Sequence, residues 1–168
     1  AVVLREDSTQ KYSALSDTLE QTKNMTVRSM EDEFDNLLAT AKEELDLLGV
    51  DSFVTKESTL DVQIRRADSV AVSVLSDSFL VYGNINDRYL NGSTYDTETG
   101  KQLMLTDVIK DMSKIPAIVK KELTSHTWTG DFTAETALED YFRNTPEDGI
   151  AWTLDYNGVT FYFNPGDI

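Results

Sequence analysis

The chain has 168 residues, 40 % of them hydrophobic and including seven Phe, seven Tyr and two Trp, enough apolar material for one compact domain or two small interlocked ones. Thirty acidic against fifteen basic side chains leave a formal net charge of −15, a field that repels phosphate backbones and attracts cationic proteins or ions, which excludes nucleic acid as the expected ligand. Cysteine is absent, which removes disulfides, thiolate metal sites and Cys nucleophiles, and no stretch approaches the roughly 20 apolar residues that cross a bilayer.

From Ser13 to Leu48 the pattern is helical: Leu15 and Leu19, then Val27, Met30, Phe34, Leu37, Leu38, Ala41, Leu45 and Leu48 recur at three- and four-residue steps. Glu31, Asp32, Asp35, Lys42, Glu43 and Asp46 fall on the other face, and Gly49 supplies the stop. The expected arrangement is one long amphipathic helix docked on a sheet of the same molecule; the heptad spacing holds over too short a run to require a coiled coil.

Period-two patterning follows. Leu60, Val62 and Ile64, then Val70, Val72 and Val74, then "FLVY" at 79 to 82 predict three strands with one solvated face. "NINDR" breaks the run, and Tyr89 to Tyr95 predicts a further strand ended by "YDTETGKQLMLTDVI", whose Gly100 can take the positive φ of a tight turn. Thr106 is the expected cap of the short turn "DVIKDM", and Ser113 of a helix with Pro116 in its first turn, continuing through Leu123. A second short helix is expected over Thr133 to Phe142. The last arms, "IAWTLDYNGVTFYFN", flank Asn157-Gly158, a strong hairpin signal. Elements grouped in this way, rather than alternating, predict an α+β fold: the long N-terminal helix on an antiparallel sheet, then a smaller α+β part with two short helices and a C-terminal β-hairpin.

Motifs for chemistry are few. His126 is the one histidine, no Gly-x-Ser-x-Gly elbow accompanies it, and its place in "TSHTW" at a helix end suits bonding to the last carbonyls. Calcium would want several oxygens, and Asp96, Glu98 and Asp107 suggest a loop, but Lys101 stands where the loop's glycine is needed. Thirty acids make a carboxylate pair of the glycosidase type uninformative as a signal. No phosphate-cradling glycine loop occurs, and neither metal nor cofactor is expected. In the last strand, alternation puts Tyr162 opposite Phe161 and Phe163, so Tyr162 is exposed if those two face the core.

Four stretches together carry a resemblance. "YDTETGKQLMLTDVI" is similar to the strand-turn signature of the RsiV-like extracytoplasmic domain family, in which an aromatic-Asp-x-x-x-Gly-Lys turn leads into Leu-x-Leu-x-Asp-hydrophobic; "RRADSVAVSVLSD" resembles its Arg-Ala-Asp-Ser strand, "SALSDTLEQTKNM" its helix opening and "NGVTFYFNPGDI" its C-terminal hairpin. Two departures stand beside it. Members commonly carry a Gly-Gly-Ala-His stretch where this chain has "YGNINDRY", so no role of that histidine carries over, and the family's closing strand is not reached at Ile168, as in a shortened C-terminal part.

The resemblance implies an exported or envelope-anchored bacterial domain in two intimately packed parts, residues 1–100 and 101–168. It also implies noncatalytic binding or sensing, with lysozyme, another cationic protein or peptidoglycan fragments as partners and a membrane engaged only through other segments. Nucleotide binding is not implied. The family places partner contacts near the hairpin tail, making Tyr162, Asn164, Pro165 and Asp167 the candidate contact residues. The rival is an accessory region of a wall-polysaccharide deacetylase or a carboxylate-based hydrolase, which requires two acids in a cleft, one with a raised pKa.

Overall fold

The computed structural model describes residues 1–83, 85–125 and 137–168. A short turn, α1 (Glu6–Thr9), precedes the long helix α2 (Ser13–Leu48), which has the bounds its periodicity predicts. Gly49, at φ 75°, ends it and donates its N–H to the Leu45 carbonyl.

Three antiparallel strands follow in the order β1 (Lys56–Ala67), β2 (Ala71–Tyr82) and β3 (Ile85–Asp96). The stretches at 70–74 and 79–82, expected as separate strands, are one twelve-residue strand. Its polar middle does not break it, because Asp77 and Ser78 find partners on the next strand: Asp77 accepts two bonds from Arg88, and the Ser78 hydroxyl donates to the Tyr89 carbonyl. Val70 falls in the preceding turn and is exposed.

The single solvated face is also corrected. Ala71 to Leu75 are buried on both sides of β2. On one side Val72, Val74 and Tyr95 pack with Leu15 and Leu19 of α2. On the other lies the hairpin β4 (Ala151–Asp155) and β5 (Gly158–Tyr162). Pairing of Asp155 with Gly158 and Thr153 with Thr160 turns the backbone groups of Trp152 and Leu154 outward, toward the sheet. There the Leu154 N–H donates to the Ser73 hydroxyl at 2.9 Å, and Ser73 and Thr94 share a bond at 2.8 Å, which is why two polar side chains can be fully buried. A Cβ at Gly92 would stand 1.7 Å from the Trp152 carbonyl oxygen. The exposed edge of β4 is thus capped by the face of another sheet.

The opposite face of the hairpin joins Leu105, Tyr141, Ile150 and Trp152 in a second core, continued by Ile115, Val119 and Leu138. Leu105 comes from α3 (Leu105–Val108), Ile115 and Val119 from α4 (Ile115–Ser125), and Leu138 and Tyr141 from α5 (Ala137–Asn144). Two caps differ from expectation. Asp107, not Thr106, accepts the Met104 N–H at the start of α3, and Asp111, not Ser113, accepts from Ser113 N in the 3-10 turn leading into α4. A carboxylate takes these places because it adds charge to the hydrogen bond at the positive helix end. The hairpin loop is Tyr156-Asn157, one residue before the Asn-Gly pair, with Gly158 at φ 145° opening β5. His126 and the expected helix start at Thr133 lie outside the described residues.

Candidate functional site

The "YDTETGKQLMLTDVI" stretch is a strand end and its reversal. Asp96 accepts from the Thr99 N–H and hydroxyl, Gly100 N–H returns to the Asp96 carbonyl, and Leu103 N–H reaches Thr94. Gly100, at φ 69°, lies against the backbone of Ala14 and Leu15, so this turn seats the first residues of α2. Two of its three carboxylates are already occupied: Thr99 bonds hold Asp96 below the ordinary carboxylate range, and the Met104 N–H and Lys101 do the same for Asp107. Among the described residues no group of three or more His, Cys, Asp or Glu could hold a metal ion.

The hairpin tail is a built turn. Asn164-Pro165-Gly166-Asp167 has Pro at its second position and Gly at φ 88° at its third, and the Asp167 N–H closes it on the Asn164 carbonyl at 3.0 Å. The Asp167 carboxylate accepts the Asn164 N–H at 2.6 Å. The Asn164 side chain then acts as a short piece of strand: Oδ1 accepts from Leu90 N–H at 2.7 Å and Nδ2 donates to Leu90 O at 3.1 Å, covering the outer edge of β3.

Phe161 and Phe163 do face the core, edge-on to Phe142 and Tyr141 respectively with centroids 5.3 Å apart. Tyr162 is on the opposite face but half-buried rather than exposed. Its hydroxyl meets Thr153 Oγ1 at 3.0 Å. Of the four candidate contact residues only Pro165 is exposed; Asn164 and Asp167 are half-buried and engaged in the turn.

Beside the tail lies a groove of about 840 Å³, floored by Leu90, Phe161, Phe163 and Ile168 and edged by Arg88 and Pro165. Tyr162 and Asn164 border it as well, whereas Asp167 does not. Arg88 is clamped by Asp77, so the guanidinium contributes a fixed direction more than a free charge.

A second polar cluster had no signal in the sequence. Arg65 of β1 makes a forked pair with Asp155 at 3.1 and 3.3 Å, Thr160 and Thr153 add hydroxyls to the same carboxylate, and the neighbouring Arg66 bonds Asp68 and the Asp155 carbonyl. Burial pushes the Asp155 carboxyl up, but Arg65 and Thr160 outweigh it and hold the group below its ordinary range. Glu44, Asp68, Asp77, Asp96, Asp107, Asp111 and Asp155 are all held below the ordinary carboxylate range, toward the permanently ionised form, by the hydrogen bonds and cations around them. Such groups hold chain segments and cations well and donate protons poorly. Compared with known proteins, the chain matches no family model and no curated protein.

Proposed function

We propose that the protein is a noncatalytic extracytoplasmic binding domain of the RsiV-like kind, whose hairpin tail and adjoining groove take a cationic protein such as lysozyme, with wall glycan as the other source of ligand. The observation that carries this reading is a roomy groove with an apolar and aromatic floor on a molecule of net charge −15. Long-range attraction raises the association rate of a basic partner, and the apolar floor then supplies the short-range contact. The resemblance of the tail, the turn and two further stretches to that family supports the same reading.

Calorimetric titration with hen lysozyme and with soluble muropeptides, at low and moderate salt, tests it. The expected result is lysozyme binding that weakens as salt rises, because the Debye length shrinks to about 8 Å at physiological ionic strength. Cleavage or deacetylation of muropeptides by the protein, or heat from neither ligand, overturns the proposal.

A further inference from the structure

The long helix carries its apolar seam to one side of the row that meets the sheet, flanking β1 and open to solvent. The row that faces the strands is Leu15, Leu19, Thr26, Glu33, Leu37 and Glu44, all buried or half-buried. Glu33 accepts from Ser58 at 2.9 Å, and Glu44 bonds the Tyr82 hydroxyl and pairs with Lys56 at 3.0 Å. The Lys56 side chain is only 4 % exposed and lies 4.4 Å over the Tyr82 ring, so this polar anchor fixes the rotation of the C-terminal half of α2. At 100° per residue the seam Val27, Met30, Phe34, Leu38, Leu45 and Leu48 is turned from that row by roughly a fifth of the circumference. These six side chains are all at least 38 % exposed, and Phe34 reaches 63 %.

Length, shape and charge define what the seam takes. It runs over Val27–Leu48, about 30 Å of helix. A groove of about 470 Å³ lies along its middle, between Met30, Phe34 and Leu38 on the helix and, on the other wall, Phe53 and the start of β1 at Lys56 to Ser58. The same helical segment carries seven carboxylates against Arg28 and Lys42, and Glu31 and Asp35 stand one turn apart beside Phe34. A second copy of this chain would bring two such acidic strips together, and an anionic lipid surface would be repelled. We infer that the exposed seam of α2 is a docking groove for a cationic amphipathic helix, whose apolar side fills the row from Val27 to Leu48 while its basic flanks meet Glu31 and Asp35. This surface is separate from the hairpin tail.

The probe is a synthetic helix of roughly 18 leucines and lysines, leucines at helical spacing, with a scrambled peptide of the same composition as control. Titration into the wild-type protein is expected to show tighter binding of the amphipathic peptide than of the scrambled one. A Phe34→Ser/Leu38→Ser variant is expected to lose about tenfold or more in affinity while keeping its helical circular dichroism and its response to lysozyme. Should that variant unfold, Glu31→Lys/Asp35→Lys gives the charge arm and is likewise expected to weaken the peptide. Equal affinity for both peptides, or affinity unchanged in the variants, overturns the inference. So does a concentration-dependent dimer that Phe34→Ser abolishes, or binding to zwitterionic vesicles through the seam.

Discussion

Gly92→Ala is the sharpest test of how the two sheets meet. A methyl group there would stand 1.7 Å from the Trp152 carbonyl oxygen, 2.5 Å from its carbon and 3.1 Å from its nitrogen. All three are backbone atoms, so no rotamer change relieves the overlap, and β4 must retreat by roughly 1.3 Å or more to reach ordinary contact. That movement pulls Leu154 N–H off Ser73, where it now sits at 2.9 Å. Leaving this buried donor unsatisfied costs about 1–3 kcal/mol, and overpacking about 1–3 kcal/mol, offset by about 0.5–1 kcal/mol from a less flexible unfolded chain. The net destabilisation is about 3 kcal/mol, which lowers Tm by about 6–12 °C for a chain of this size. Urea denaturation followed by Trp fluorescence measures it, with buried Trp152 as a reporter at the contact. Gly49→Ala is the companion: it meets no atom within 4 Å and carries only the strain of φ 75°, about 1 kcal/mol. A Gly92→Ala midpoint equal to or above wild type would refute the edge-on-face contact.

Other outcomes follow from the same geometry. Ser73→Ala removes the acceptor of Leu154 N–H and the partner of Thr94, and destabilises by about 1–3 kcal/mol in the same denaturation assay, whereas a change within error would deny the bond. Asn164→Ala frees the outer edge of β3, so hydrogen exchange of the Leu90 amide accelerates while amides in β2 do not change. The Asp155 carboxyl is depressed in the folded state, so its contribution is present above the ordinary carboxylate pKa of about 4 and fades as pH falls through the lowered value; Asp155→Asn is less stable than wild type near neutrality and flatter below about pH 4. Burial pushes the Tyr141 hydroxyl up to about 12, and that buried oxygen has no well-aligned hydrogen-bond partner, so Tyr141→Phe leaves thermal stability unchanged or raises it by about 1 kcal/mol. A clear loss would show that the hydroxyl is bonded after all.

The residue patterns determined which segments become helix and which become strand, because apolar spacing is carried by each segment separately. The bounds of α2, its stop at Gly49, the turn at Gly100 and the alternation of Phe161, Tyr162 and Phe163 were all legible. The neighbours of each face were not. Ser73, Thr94 and Gly92 look like wet-face residues of a strand until β4 is laid across them, and their burial depends on a backbone edge about 60 to 80 residues away in sequence. Tyr162 looked free because alternation says which side it is on and nothing of Thr153 opposite it. Asn164 and Asp167 had the composition of a contact surface, and tertiary structure spends their hydrogen-bonding groups on the turn and on Leu90. The seam of α2 shows the same division: its periodicity is local, but its rotation is set by Glu33 and Glu44 meeting Ser58, Tyr82 and Lys56. Polar anchors between distant segments chose which side of the helix met the sheet, leaving the apolar seam beside that contact and partly in solvent.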